Sequence, residues 1–252
     1  MSNGGAEKPA GILYLVSTPI GNLEDITHRA LRILGDVELI AAEDTRKTGV
    51  LLKHFSIDRP MVSFHSHNES RKVGPLVGKL SEGRSIALVT DAGTPGISDP
   101  AFLLVRSAIE KKIPVVAVPG PTAFVPALIV SGLPTDRFVF EGFLPVKKGR
   151  RTRIAELAGE RRTIVLYESP HRVARTVQEL SESFGNRNAA IVREITKKFE
   201  EVIRGGLAEL AGCLRERSLK GEIVIVVEGN SRIGKGKKKQ SYGNQRNSPA
   251  PA

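Results

Sequence analysis

Short apolar runs recur along the first half of the chain, and polar, helix-forming stretches separate them. The runs predict strands at 12–16, 37–41, 61–64, 86–89 and 115–118. These runs are too apolar for a sheet with one face in water, so they predict a mostly parallel sheet buried between helices. Asp99-Pro100 resembles an N-cap followed by proline in the first helical turn, so we expect a helix to begin there and to end at Lys111-Lys112.

A second series of apolar runs predicts strands at 138–142, 163–167, 189–193 and 223–227, with a further one at 200–204. Ser169-Pro170 predicts the start of a helix between two of them. The segment 119–134 is rich in glycine and proline at both ends and separates the two series. We therefore expect two α/β domains, 12–120 and 121–230, with a ligand cleft between them.

Composition and charge narrow the class of protein. No apolar run approaches the ~20 residues that span a bilayer, and the single cysteine, Cys213, cannot form an internal disulfide. These features favour a cytoplasmic protein, with Cys213 in the core. The net charge is +11, and the last 22 residues hold six basic side chains and no acidic one. We expect a flexible N-terminus over 1–11 and a basic disordered tail over 231–252, and the charge favours a polyanionic partner such as a nucleic acid.

Three loops rich in glycine, proline and hydroxyl side chains follow predicted strands, at 17–22, 90–100 and 119–123. Ligands of open α/β sheets bind at the carboxyl ends of the strands, where these loops lie. The chain lacks the phosphate-binding loop of ATPases and the GxGxxG loop of dehydrogenases. It also lacks the glycine-rich loop of the common Rossmann methyltransferases.

Six segments carry a family resemblance: LYLVSTPIGNLEDIT (13–27), AEDTRKTGVLL (42–52), VTDAGTPGISDP (89–100), VPGPTAFVPALIVSGLP (118–134), FEGFLP (140–145) and YESPHRV (167–173). They closely resemble the tetrapyrrole methylase superfamily, and within it the ribosomal RNA branch. The resemblance implies a homodimer of two α/β domains, S-adenosylmethionine in the interdomain cleft, and no metal. It also implies 2′-O-methylation of a cytidine in 16S ribosomal RNA at the decoding centre of the small subunit.

The resemblance also assigns a set of cofactor-binding residues. They are Pro19, Ile20, Asp91, Gly93, Thr94, Pro95, Ile97, Thr122, Ala123, Leu166 and Tyr167. Related proteins often have Gly-Asp-Pro where this chain has Gly93-Thr94-Pro95. A carboxylate facing the sulfonium would then be Asp91 or another residue, or be absent.

Methylation of a ribose hydroxyl benefits from a base that removes its proton. Four polar residues that follow predicted strands are candidates: Glu43 or Asp44 first, then His65, then His171. Each also has a structural interpretation, since Asp44 could cap the next helix, His65 could be a solvated loop residue, and His171 could stabilise a helix start.

RNA would be bound mainly through its phosphates. The expected donors are Arg46, Lys47, Lys147, Lys148, Arg150, Arg151 and Arg172. Two alternatives remain open. One is a methyltransferase of the same fold that acts on a tetrapyrrole or a protein side chain, and the other is a non-catalytic RNA-binding protein of ribosome assembly.

Overall fold

The computed structural model describes residues 10–230, which form two five-stranded sheets with helices on both faces of each. The expectations for the tail at 231–252 and for most of the N-terminal segment lie outside the described residues. The expectation of two α/β domains is confirmed, and the boundary at 120/121 stays a prediction. No helix within 10–230 is long and apolar enough to cross a membrane.

The first sheet is entirely parallel, in the order β3-β2-β4-β1-β5. Its strands are β1 (Leu13–Val16), β2 (Leu39–Ala42), β3 (Met61–Ser63), β4 (Ile86–Val89) and β5 (Val115–Val118). Helices α1 (His28–Asp36) and α2 (Thr45–His54) cover one face, and α3 (Glu69–Ser81) and α4 (Phe102–Glu110) cover the other. Burial on both faces explains why these strands are continuous apolar runs.

The second sheet is mixed, in the order β6-β7-β10-β8-β9, with only β6 and β7 parallel. Its strands are β6 (Phe138–Phe143), β7 (Thr163–Glu168), β8 (Asn188–Arg193), β9 (Glu201–Gly206) and β10 (Ile223–Val227). Helices α6 (Arg150–Ala158), α7 (Val173–Phe184) and α8 (Leu207–Glu216) cover one face, and α5 (Phe124–Ser131) covers the other.

The alternation of side chains along β7 decides which residues can face a ligand. Val165 and Tyr167 lie on the α5 side of the sheet, whereas Ile164 and Leu166 belong to the core under α6, α7 and α8. The side chain of Leu166 therefore points away from the face that carries Tyr167.

Three local expectations were wrong. Helix α4 begins at Phe102 with Ala101 as its N-cap, so Asp99 does not cap it. Helix α7 begins at Val173, and Ser169-Pro170 forms a turn before it. Cys213 is exposed, because the buried side of α8 is formed by leucines and an alanine at other helical positions.

Candidate active site

A cavity of about 400 Å³ lies between the two sheets, within the size range of small-molecule sites. Loops at the carboxyl ends of β1, β2 and β4 form one wall, and the ends of β6, β7, β8 and β10 form the other. We call this cavity the cleft. Among the predicted cofactor residues, those that line it are Ile20, Asp91, Gly93, Thr94, Ile97, Thr122, Ala123 and Tyr167.

Three predicted cofactor residues do not line the cleft. Pro19 lines a smaller neighbouring cavity of about 250 Å³, which shares Thr90 and Asp91 with the cleft. Pro95 is buried within its own loop. The Leu166 side chain lies in the core on the opposite face of its sheet, so it cannot cover a ligand and that expectation is corrected.

The loops that follow β1 and β4 are joined by backbone hydrogen bonds. The Thr18 amide donates to the Gly93 carbonyl and the Gly93 amide donates to the Thr18 carbonyl, both at 2.9 Å. Gly93 has a φ of +85°, a conformation that glycine adopts without a steric penalty. The Thr94 hydroxyl donates to the Pro121 carbonyl at 3.1 Å, which ties the second loop to the interdomain linker.

Glu43 is the only one of the four candidate bases that lines the cleft. Its Oε2 accepts hydrogen bonds from the Thr90 hydroxyl at 2.5 Å and from the Asp91 amide at 3.2 Å. No hydrogen-bond partner for Oε1 lies within residues 10–230. The residue is partly buried, directly after β2, which adjoins the central strand β4.

The other three candidates have structural surroundings instead. Asp44 is the N-cap of α2, and its hydrogen bonds with Arg46 hold the pKa of its carboxyl well below the usual range, so it is a poor base. His65 follows the edge strand β3, and its Nε2 lies 3.0 Å from the Asn68 amide nitrogen. His171 is exposed on the turn before α7. These surroundings favour Glu43 over Asp44, His65 and His171, and the identity of the base stays a prediction.

The cleft is acidic although the chain as a whole is basic. Its lining within the described residues contains no lysine, arginine or histidine, whereas five carboxylates line it. They are Glu43, Asp91, Asp99, Glu168 and Glu222. Such a lining favours a cationic ligand and disfavours a phosphate.

Asp99 is the residue of the cleft that the sequence interpretation missed. Its motif was read as a helix cap, but the helix begins later and the carboxylate lies on the cleft wall. Burial, reinforced by the nearby carboxylates of Glu43 and Asp91, raises the pKa of Asp99 from 3.8 to about 6, and a hydrogen bond with Thr90 opposes the shift. Phe143, whose ring lies 5.6 Å from that of Tyr167 at the cleft wall, is not among the predicted cofactor residues.

The basic candidates divide into surface and interior groups. Lys147, Lys148 and Arg151 are exposed in the segment that follows Phe143, a residue of the cleft wall, and we call these three side chains the rim. Arg150 is 3% exposed and its guanidinium bonds to Glu179, Thr176 and the Pro145 carbonyl, so the expectation that it binds phosphate is corrected.

The remaining basic candidates are already paired within the chain. Arg172 donates to the Leu144 carbonyl and lies 3.1 Å from Glu168. Arg46 and Lys47 are exposed but pair with Asp44 and Asp91. Of the seven expected phosphate donors, the exposed cations without an ion-pair partner in the described part of the chain are Lys147, Lys148 and Arg151.

The fold and the cleft together define a class of two-domain α/β proteins with a small-molecule site at the carboxyl ends of parallel strands. The model of the tetrapyrrole (corrin/porphyrin) methylases matches residues 12–211. The chain belongs to this family and is a methyltransferase.

Relatives of known name support a narrower grouping. The chain is 52% identical over 221 residues to ribosomal RNA small subunit methyltransferase I of Halalkalibacterium halodurans, covering 87% of this chain and 76% of the relative. It is 48% identical over 229 residues to the enzyme of the same name from Escherichia coli O157:H7, covering 89% and 80%. In fold it resembles uroporphyrin-III C-methyltransferase from Thermus thermophilus, solved with S-adenyl homocysteine, at a TM-score of 0.61, 19% identity, and coverage of 88% and 100%.

Proposed function

We propose that this enzyme transfers a methyl group from S-adenosylmethionine to the 2′-hydroxyl of a cytidine in 16S ribosomal RNA, near the decoding centre of the small subunit. The names of the relatives at about half identity support ribosomal RNA of the small subunit as the substrate. The observation that carries the proposal is the contrast between an acidic cleft and a basic rim. The cleft suits a cationic methyl donor, and the rim suits RNA phosphates.

The residues of the cleft fit this cofactor. Bound there, S-adenosylmethionine supplies a methyl group that is activated by the positive charge on its sulfur. Gly93 and Thr94 bring loop backbone to the cavity, and Tyr167 and Phe143 provide aromatic surface on the opposite wall. Alignment of the two reactants in such a cleft contributes up to ~7–11 kcal/mol of the rate acceleration.

Glu43 would accept the proton that the ribose hydroxyl loses when its oxygen takes the methyl group, while the methyl–sulfur bond breaks and S-adenosylhomocysteine leaves. Lys147, Lys148 and Arg151 hold the RNA backbone at the rim, while the acidic wall keeps phosphates out of the cleft.

We further propose a cytoplasmic homodimer. Exposed apolar side chains of α4 and α5, namely Phe102, Ile109, Val125 and Ile129, support the association of two copies, which light scattering would measure.

The deciding experiment is methyl transfer from labelled S-adenosylmethionine to small ribosomal subunits from a strain that lacks this protein, followed by nuclease mapping. We expect label on the ribose of one cytidine, and none on subunits from a strain that retains the protein. Absence of label with intact cofactor binding would favour a tetrapyrrole or protein substrate. Absence of cofactor binding would favour a non-catalytic RNA-binding protein.

A further inference from the structure

Three of the five carboxylates in the cleft already have a cation of the protein beside them. Lys47 Nζ lies 2.7 Å from Asp91 Oδ2, and the Asp91 Oδ1 also accepts a hydrogen bond from the Asp44 amide. Lys197 Nζ lies 3.1 Å from Glu222 Oε2. Arg172 and Arg150 flank Glu168 at 3.1 Å and 3.9 Å. Asp91, a candidate for the carboxylate facing the sulfonium, is therefore paired with Lys47.

Glu43 and Asp99 form no ion pair with any residue of the described chain. They differ in their hydrogen bonds. The Thr90 hydroxyl lies near both carboxylates and donates to Glu43 at 2.5 Å, and only Glu43 also accepts a hydrogen bond from the Asp91 amide. Asp99 is left as the less compensated of the two carboxylates, held in the cleft wall by the loop that includes Gly93, Thr94 and Ile97.

We propose that the Asp99 carboxylate is the partner of the sulfonium charge, so that this enzyme binds the methyl donor more tightly than the demethylated product. This inference rests on the proposed function, because it takes S-adenosylmethionine as the ligand of the cleft. The donor and the product share the adenosine, the amino group and the carboxylate, and they differ by the methyl group and the positive charge on sulfur. A carboxylate that has no protein cation beside it attracts the positively charged sulfur of the donor but not the neutral sulfur of the product.

The proposal predicts a specific dependence on pH. Burial raises the pKa of Asp99 to about 6 in the cofactor-free protein, and the groups that face it are Glu43, Asp91 and Tyr167. A bound sulfonium favours the ionised form, so donor binding weakens as the pH falls through about 6. From pH 7 to pH 5 the ionised fraction of Asp99 drops about tenfold, and the donor affinity relative to the product affinity should drop by a similar factor.

The test is titration calorimetry of the purified full-length protein with S-adenosylmethionine and, separately, with S-adenosylhomocysteine, from pH 5 to pH 7.5. Protonation events that affect both ligands equally cancel in the ratio of the two dissociation constants. We expect the donor preference to fall about tenfold toward pH 5 in the wild type, and to be small and independent of pH in Asp99→Asn. Glu43→Gln is the matched variant, since it removes another unpaired carboxylate from the same cleft. It should keep the donor preference, with the pH profile moved to lower pH because Glu43 helps to raise the pKa of Asp99.

If the ratio of the two dissociation constants stays constant with pH in the wild type, that result alone overturns the role of Asp99. The same holds if Glu43→Gln abolishes the preference while Asp99→Asn keeps it. Failure to bind either ligand would overturn the proposed function as well. Normal pH-dependent binding without methyl transfer to ribosomal RNA would overturn the proposed function alone and leave the role of Asp99 standing.

Discussion

The guanidinium of Arg150 and the carboxylate of Glu168 lie 3.9 Å apart in the interior of the second domain, at 3% and 2% exposure. Thr176 joins them, because its hydroxyl donates to Glu168 Oε2 at 2.6 Å and accepts from Arg150 Nη2 at 2.7 Å. Glu168 also lines the cleft, and Arg150 adjoins the exposed cations of the rim. This buried network therefore fixes the rim in place relative to the cleft.

Removal of Arg150 should destabilise the protein, because it leaves the buried Glu168 and the partly buried Glu179 with fewer partners. We expect Arg150→Met to lower the free energy of unfolding by about 3 kcal/mol. Arg175 is the matched control, since it pairs with the same Glu179 at 2.8 Å but is 69% exposed. Arg175→Met should cost less than about 1 kcal/mol. Urea unfolding measures both, and equal losses would contradict the structural role assigned to Arg150.

Glu43→Gln should slow methyl transfer, because the amide cannot accept the proton of the ribose hydroxyl. We expect kcat to fall by roughly 10²–10⁴-fold with little change in cofactor affinity. Asp44→Asn tests the neighbouring carboxylate, which caps α2 and should leave kcat almost unchanged. Single-turnover kinetics on small subunits separate the two variants, and a larger loss in Asp44→Asn would reverse the assignment.

Neutralising the rim should weaken RNA binding in a salt-dependent manner. For the double variant Lys147→Ala/Lys148→Ala we expect the slope of log affinity against log salt to decrease by about 0.7–0.9 per lost phosphate contact. Lys111→Ala/Lys112→Ala removes the same charge from exposed positions after α4, at the opposite end of the first sheet. That control should keep the wild-type slope, and identical slopes in both variants would remove the rim from the RNA interface.

The backbone conformation of Gly93 should matter for both stability and ligand binding. An alanine there would adopt φ +85° with its Cβ 3.4 Å from Ile20 Cγ2, at the cleft wall. Gly132 has φ +76° and open space around it, so Gly132→Ala isolates the conformational strain. We expect both substitutions to cost about 1 kcal/mol of stability, and only Gly93→Ala to weaken cofactor binding. Thermal unfolding with and without S-adenosylmethionine gives both quantities.

The raised pKa of Asp99 also predicts a change in stability with pH. The folded protein holds the Asp99 proton up to about pH 6, whereas the unfolded chain releases it near 3.8. The tighter binding of this proton by the folded protein therefore stabilises it fully below pH 3.8, and the stabilisation is lost as the pH rises through 6. Cofactor-free Asp99→Asn should melt at a higher temperature than the wild type at pH 7.5, and the difference should shrink toward pH 4. A variant that is less stable at pH 7.5 would contradict the burial of an unpaired carboxylate.

The sequence predicted all ten strands of the described chain, because strands buried on both faces form apolar runs that stand out from their surroundings. It did not predict strand order, and strand order decides which polar residues meet. Glu43 follows β2, beside the central strand, while His65 follows β3 at the edge, and the sequence does not show this difference in position. The sequence also did not predict that β8, β9 and β10 pair in an antiparallel direction.

Asp99 and Arg150 show a second limit of sequence interpretation. A carboxylate before proline is typical of a helix start, and an arginine within a basic run is typical of a phosphate contact. Tertiary packing overrides both patterns, since one residue lines the cleft and the other lies in the core.

The paired hydrogen bonds between Thr18 and Gly93 set a condition for redesign of the enzyme. These bonds join residues 17–22 and 90–100 into one structural unit, although about seventy positions separate the two loops in the sequence. A chimera that borrows either loop from another methylase would present mismatched backbone partners at the donor site. Transplanting both loops together would preserve the two backbone hydrogen bonds, so altered donor specificity should be sought by exchanging the loops as a pair.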